Sequence, residues 1–251
     1  MPRVNFSSIR TDSVLGRILR APLRLLPPDT VLPVLQGRLR GKRWIVGAGN
    51  HGCWLGSYEE KKQALFTQHV NAGLTVVDVG ANAGFYTLLA AILSGPRGHV
   101  VAIEPLARNV RYLRRHLQLN AIENVEIFEA AASDTSGELA FQEGESAALG
   151  RLDPLGTLRV RVITLDELVL DGRIPPPDVM KIDIEGGEAA ALRGAKETLK
   201  VYHPTIFLAT HGVEVHQECC DLLRSANFEL HALAGDRVET TNELLALHRH
   251  R

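Results

Sequence analysis

The stretch that decides the fold is VVDVGANAGFYTLLA, Val76 to Ala90. Val76, Val77 and Val79 are β-branched and apolar, the pattern of a strand covered on both faces. Asp78 stands just before that strand ends. Gly80-Ala81-Asn82-Ala83-Gly84 is a turn of small residues, and Phe85, Leu88, Leu89 and Ile92 follow at helical spacing. The segment therefore predicts strand, tight glycine turn, helix. Glycines lack a Cβ, so the backbone can take left-handed angles and a ligand can lie directly against it. The helix start adds free N–H groups and a partial positive charge.

This is a nucleotide-type cradle, and its details narrow the ligand. A dinucleotide fingerprint needs G-x-G-x-x-G so that a pyrophosphate reaches the helix start. Here the pattern is D-x-G-x-x-x-G, with no middle glycine and an acid ahead of the turn. A carboxylate there repels pyrophosphate and suits an ammonium or sulfonium group. S-adenosylmethionine carries both and no phosphate.

Working outward, strand and helix patterns alternate. Strands are predicted at His99–Ile103, at 125–130, at 178–184, at Thr205–Ala209 and at 228–233, with a last one at Glu243–His248. Helices are predicted at 58–72 with Gly73 as C-cap, at 108–119, at 164–170, at 188–201 and at 215–226. Residues 137–142 and 158–163 read as a hairpin joined by a glycine-rich loop, Gly144 to Gly156. Such alternation requires right-handed crossovers and a parallel sheet. GAGNHGCWLG, Gly47 to Gly56, reads as a glycine-rich loop: a lid or part of a substrate pocket, or a segment in which Trp54 plugs the core.

The chain has 251 residues, 45% of them hydrophobic, enough for one large α/β domain. We divide it into an N-terminal extension, residues 1–42 and partly helical, and a catalytic domain, residues 43–251. In the extension Val14, Leu15, Ile18, Leu19, Leu23 and Leu26 interleave with Arg10, Arg17, Arg20 and Arg24. That is a basic amphipathic pattern, suited to a membrane-surface contact or to packing over the domain. Lys and Arg number 28 against 29 Asp and Glu, a formal charge of -1, so there is no overall basic footprint for nucleic acid. Cys53, Cys219 and Cys220 lack C-x-x-C spacing and imply neither a disulfide framework nor a zinc site. A reducing, cytoplasmic setting is the expectation. Oligomeric state is not legible.

Ligands in doubly wound sheets sit beyond the C-terminal strand ends. Polar residues collect there: Asp78 and Gly80, Glu104, Asp134, the pair Asp183 and Glu185 in KIDIEGGE, and His211. Glu104 is placed to accept two ribose hydroxyls and Asp134 to accept an adenine amine. Buried acids at a strand end cost several kcal/mol unless paired, hydrogen-bonded or metal-bound. Asp183, Glu185 and His211 are therefore the candidate catalytic residues, as a base that takes a hydroxyl proton. Alternatively they hold a divalent cation that lowers the hydroxyl pKa. The metal-free base is the preferred reading, since an imidazole suits magnesium less well than oxygen ligands.

In these strings taken together the chain resembles the FkbM-type S-adenosylmethionine-dependent methyltransferases. VVDVGANAGFYT, VVAIEPLARN, NVEIFEAAASD, ITLDEL and KIDIEGGEAAALRGA carry the resemblance, over roughly Trp44 to Gly212. It implies the class I methyltransferase fold, a Rossmann-like seven-stranded, mostly parallel sheet with its last strand antiparallel and helices on both faces. It implies Gly80, Asn82 and Gly84 at the methionine end of S-adenosylmethionine, Glu104 at the ribose and Asp134 at the adenine. It also implies O-methylation of a hydroxyl on a sugar, glycan or secondary metabolite. The competing readings are an NAD-dependent oxidoreductase on a related fold and a non-catalytic module that kept the cradle.

Overall fold

The computed structural model describes residues 26–144, 150–233 and 237–249. The basic amphipathic stretch of the extension, up to residue 25, lies outside the described residues.

The described residues open with an antiparallel pair, β1 (Val31–Pro33) and β2 (Arg43–Ile45). This pair straddles the boundary drawn after residue 42, and Val34, Leu39 and Trp44 share one core cluster. Next come α1 (His51–Leu55) and α2 (Glu60–His69). The predicted glycine-rich loop is thus partly helical, because the Asn50 side chain caps it by accepting from the Gly52 N–H at 2.8 Å. The second helix ends at Val70, whose N–H bonds Phe66 O, so Gly73 is not its cap.

Then follow β3 (Thr75–Val79), α3 (Phe85–Ser94), β4 (His99–Ile103), α4 (Ala107–Leu119) and β5 (Val125–Phe128). β5 stops two residues short of the predicted end. The strands β6 (Ala131–Ala132), β7 (Gly137–Glu143), β8 (Gly150–Leu152) and β9 (Leu158–Ile163) form a separate four-stranded sheet, where the sequence predicted only a hairpin. After α5 (Leu165–Leu170) and β10 (Val179–Ile182) the predicted single helix is two, α6 (Glu188–Arg193) and α7 (Lys196–Tyr202). The break falls at Gly194, which lies so close to Ser133 that a Cβ there would stand 1.9 Å from its carbonyl oxygen. β11 (Thr205–Ala209), α8 (Val213–Ser225), β12 (Phe228–Ala232) and β13 (Glu243–His248) complete the chain.

The large sheet has seven strands in the order β12-β13-β11-β10-β3-β4-β5. Only β13 runs antiparallel to its neighbours, as the resemblance implied. Period-two alternation assigns the two faces. Val77, Val79, Met180, Ile206 and Leu208 pack with Leu168, Leu192, Leu199 and Leu223 from α5 to α8. Val76, Val100, Val179 and Phe207 pack with Trp54, Phe66, Phe85 and Leu88 from α1 to α3. Helices therefore cover both faces, and the C-terminal ends of β3, β4, β10 and β11 open together.

Candidate functional site

The turn after β3 is built by close approach. Gly80 has φ 78°, and a Cβ there would stand 2.0 Å from the Asp183 carbonyl oxygen and 2.7 Å from Ile184 Cγ2. The glycine is required because the end of β10 crosses it. Gly84, at φ 91°, serves packing in the same way: a Cβ would stand 2.3 Å from Leu113 Cδ1 on α4. Asn82 is left-handed at φ 49°, and its N–H donates to Glu104 Oε2 at 2.9 Å.

Glu104 is 5% exposed. Its Oε1 accepts from Leu106 N at 3.1 Å and Asn109 Nδ2 at 3.0 Å. Burial pushes its pKa up, and these donors together with Lys181 oppose the rise. A carboxylate held this way keeps spare acceptor capacity on Oε2, which takes one donor where Oε1 takes two. It faces a cleft of about 580 Å³ whose other lining includes Gly80, Asn82, Leu106, Ala130, Ala132 and Phe141. Small and apolar walls with one buried acid suit a flat base joined to a ribose.

A second cleft, about 690 Å³, adjoins the first. Both are lined by Gly80, Asn82, Asp183 and Glu185. The second adds Trp44, Asn50, Tyr58, Tyr86 and Lys181, so the segment read as a glycine loop contributes a wall while Trp54 itself is core.

Behind the turn lies a charged network. Lys181 Nζ sits 3.3 Å from Asp78 Oδ1 and 3.7 Å from Asp183 Oδ2, and donates to Gly80 O at 3.1 Å. Asp78 is 1% exposed, also accepts from Thr87 Oγ1 at 2.6 Å, and lines neither cleft. Its charge is matched from behind by Lys181. Lys62 on α2 sits 2.8 Å from Glu243, 3.4 Å from Glu59 and 3.8 Å from Asp183. Burial alone would raise the Asp183 pKa, but Lys181 and Lys62 hold it below the usual carboxylate value. Asp183 is thereby kept ionised and is a poor proton acceptor.

The three candidate catalytic residues do come together. His211 Nε2 lies 3.8 Å from Asp183 Oδ1 and 3.8 Å from Glu185 Oε2. Glu185 sits at φ 53°, an uncommon angle for a residue with a side chain, and burial pushes its pKa up. The hydrogen bond that Glu188 Oε1 accepts from His211 Nδ1, at 2.7 Å, raises the imidazole pKa against some desolvation.

Glu188 was missed as a site residue, although it closes the KIDIEGGE string. As the first acid of a helix it reads as a helix-dipole partner. His116 was missed as well. It is wholly buried, stacks on Trp44 at 3.8 Å, accepts from Ile45 N at 3.0 Å and donates to Ala83 O at 2.8 Å. Burial pulls its pKa down to about 4, so it is neutral. Asp134, expected at the adenine, sits beside Arg193. Its carboxylate accepts from Arg193 Nε at 2.9 Å and it lines neither cleft. Among the described residues, no group of three His, Cys, Asp or Glu is arranged to hold a metal ion, and no helix is long and apolar enough to cross a membrane.

Comparison with known proteins agrees with this geometry. Residues 78–230, more than half of the chain, match the methyltransferase FkbM domain. Hexuronic acid methyltransferase AglP of Haloferax volcanii is 30% identical over 141 residues, 55% of this chain and 54% of that protein. The chain thus spans about half the length of that relative. A methyltransferase FkbM from Methylobacillus flagellatus superposes with a TM-score of 0.52 at 18% identity, over 70% of this chain and 44% of the other. A SAM-dependent O-methyltransferase from Thermotoga maritima superposes with a TM-score of 0.51 at 14% identity, over 90% of this chain and 88% of the other. At these identities the two structures speak to the fold alone.

Proposed function

The chain belongs to the FkbM family of S-adenosylmethionine-dependent methyltransferases, and from that premise we propose that it methylates a hydroxyl oxygen on a sugar, glycan or secondary metabolite. One observation carries the reading: two clefts meet along Gly80, Asn82, Asp183 and Glu185, with His211 beside the shared wall.

The residues of the first cleft fit the cofactor. Glu104 would accept the ribose hydroxyls, the side-chain-free backbone at Gly80 and the left-handed Asn82 would face the methionine end, and the alanines, Leu106 and Phe141 would enclose the adenine. When bound there, S-adenosylmethionine supplies a methyl group activated by a sulfonium. The rest is done by the chain's own side chains.

The hydroxyl acceptor enters the second cleft, whose aromatic walls suit the C–H faces of a sugar ring and whose carboxylates accept hydroxyls. Ionised Asp183 is held in place by two lysines and orients the acceptor. His211, with its proton on Nδ1, takes the hydroxyl proton at Nε2, and Glu185 lies close enough to share the resulting charge. The formal charge of -1 supports a small or glycan acceptor over nucleic acid. AglP, named for a hexuronic acid, supports the sugar class.

The test is His211→Ala, assayed on glycan and polyol acceptors with labelled S-adenosylmethionine. Turnover should fall by about 10²–10⁴-fold, the usual share of a general base, with cofactor affinity unchanged. Equal losses in both would defeat the base assignment.

A further inference from the structure

We propose that Glu188 is the positioning residue of this site: one oxygen of a fully buried carboxylate both selects the tautomer of His211 and holds the turn that presents Glu185 to the two clefts. The proposal rests on the reading of His211 as proton acceptor above.

Glu188 is 0% exposed, and three hydrogen bonds converge on its Oε1. That oxygen meets His211 Nδ1 at 2.7 Å, Gly186 N at 3.1 Å and Ile184 N at 3.3 Å. An ionised carboxylate only accepts, so Nδ1 must carry the hydrogen. A neutral imidazole has a single N–H, so Nε2 is left with its lone pair. Nε2 is also the nitrogen that faces Asp183 and Glu185, at distances too long for a hydrogen bond, which leaves room for an acceptor hydroxyl.

The other two contacts act on Glu185. Ile184 and Gly186 flank it in sequence, and their amides are tied to the same oxygen. Glu185 is the strained residue between them, at φ 53°. Such an angle persists only where its surroundings over-determine it. A plain helix-start acid would satisfy the two amides and has no need of the imidazole. A buried carboxylate left without donors costs several kcal/mol, and the side chain that donates to this one is a ring aimed at the clefts. The charged groups set against that ring are Glu188 from α6 and Asp183 and Glu185 from the turn after β10, all acidic. Each favours the imidazolium, so the ring is a stronger base than a free histidine.

The experiment uses the full chain with ¹⁵N-labelled histidine, the His211 signals being assigned by their loss in His211→Ala. In the unaltered protein, above the ring's titration midpoint, the Nδ1–H tautomer should dominate. Glu188→Gln should lower that midpoint by about one pH unit, the usual effect of losing an adjacent opposite charge, and mix the tautomers. The pH midpoint of kcat should move with it, while the KM for S-adenosylmethionine stays within about two-fold. Glu188→Asp should restore part of the midpoint. A purely structural Glu188 would lower the melting temperature and leave tautomer and midpoint alone, and that result overturns the proposal. So does a native His211 protonated on Nε2, a measurement that needs no variant to fold. If the tautomer is as expected and His211→Ala still turns over normally, Glu188 keeps its positioning role and the base assignment falls.

Discussion

Two adjacent strands of the sheet, β3 and β10, end in turns that face each other, and they solve the same problem in opposite ways. The turn after β3 works by leaving side chains out: Gly80 lets the Asp183 carbonyl pass within contact distance, and Gly84 admits Leu113. The turn after β10 works by putting charges in: Asp183, Glu185 and Glu188 within seven residues of Lys181, each assigned a partner. The first turn is specified by sterics, which act on any added atom. The second is specified by electrostatics, which depends on what sits opposite. Substitution should therefore be drastic in one turn and conditional in the other.

The largest expected effect is steric. Gly80→Ala places a methyl group 2.0 Å from a backbone oxygen at a left-handed φ, and should lower stability by about 4 kcal/mol or more in urea titration. Gly186→Ala is its control. It shares a positive φ of 97°, but the nearest atom to its Cβ is 3.7 Å away, so only the backbone strain of about 1–2 kcal/mol should register. Equal losses at the two glycines would erase the contrast.

Next is the imidazole behind the first turn. His116 is pulled down to about 4 from an ordinary 6.5, so between those values the unfolded chain binds a proton that the folded chain refuses. Its contribution is whole above pH 6.5, is lost as pH falls toward 4, and amounts to about 3 kcal/mol at most. Urea midpoints at pH 7 and pH 5 should differ accordingly, and His116→Asn should remove that part of the difference.

Smaller again is Glu104→Ala, which should weaken S-adenosylhomocysteine binding by about 1–3 kcal/mol in calorimetry, as expected for one charged hydrogen-bond partner. Smallest is Asp134→Ala. Its carboxylate is spent on Arg193, so cofactor affinity should move by less than about 0.5 kcal/mol. A loss as large as that at Glu104 would return Asp134 to the adenine.

The same contrast explains what could be read from the sequence. The strands at His99–Ile103, Thr205–Ala209 and Glu243–His248 were legible to the residue, because apolar runs report burial directly. The gathering of Asp183, Glu185 and His211 was legible because strand ends in a parallel sheet share one side. What those charges do there was not. That Asp78 turns inward to Lys181, and Asp134 outward to Arg193, depends on partners 103 and 59 residues away in the chain, and no local pattern carries that information. Glu188 hid for the same reason: its helix-start position is a sufficient local explanation, and its histidine arrives from the next strand. The split of the predicted helix at Gly194 is likewise set by Ser133 from elsewhere in the fold.

The ring of His116 bonds the amide of Ile45 on one side and the carbonyl of Ala83 on the other. The hinge of the cradle is thus braced against a strand that precedes the large sheet by 30 residues, counted from Ile45 to Thr75. A shortened chain keeps this brace only if it retains the β1–β2 pair. Removing the residues before Thr75 would leave every side chain that lines the first cleft in place and still take away the footing on which the cradle's backbone stands.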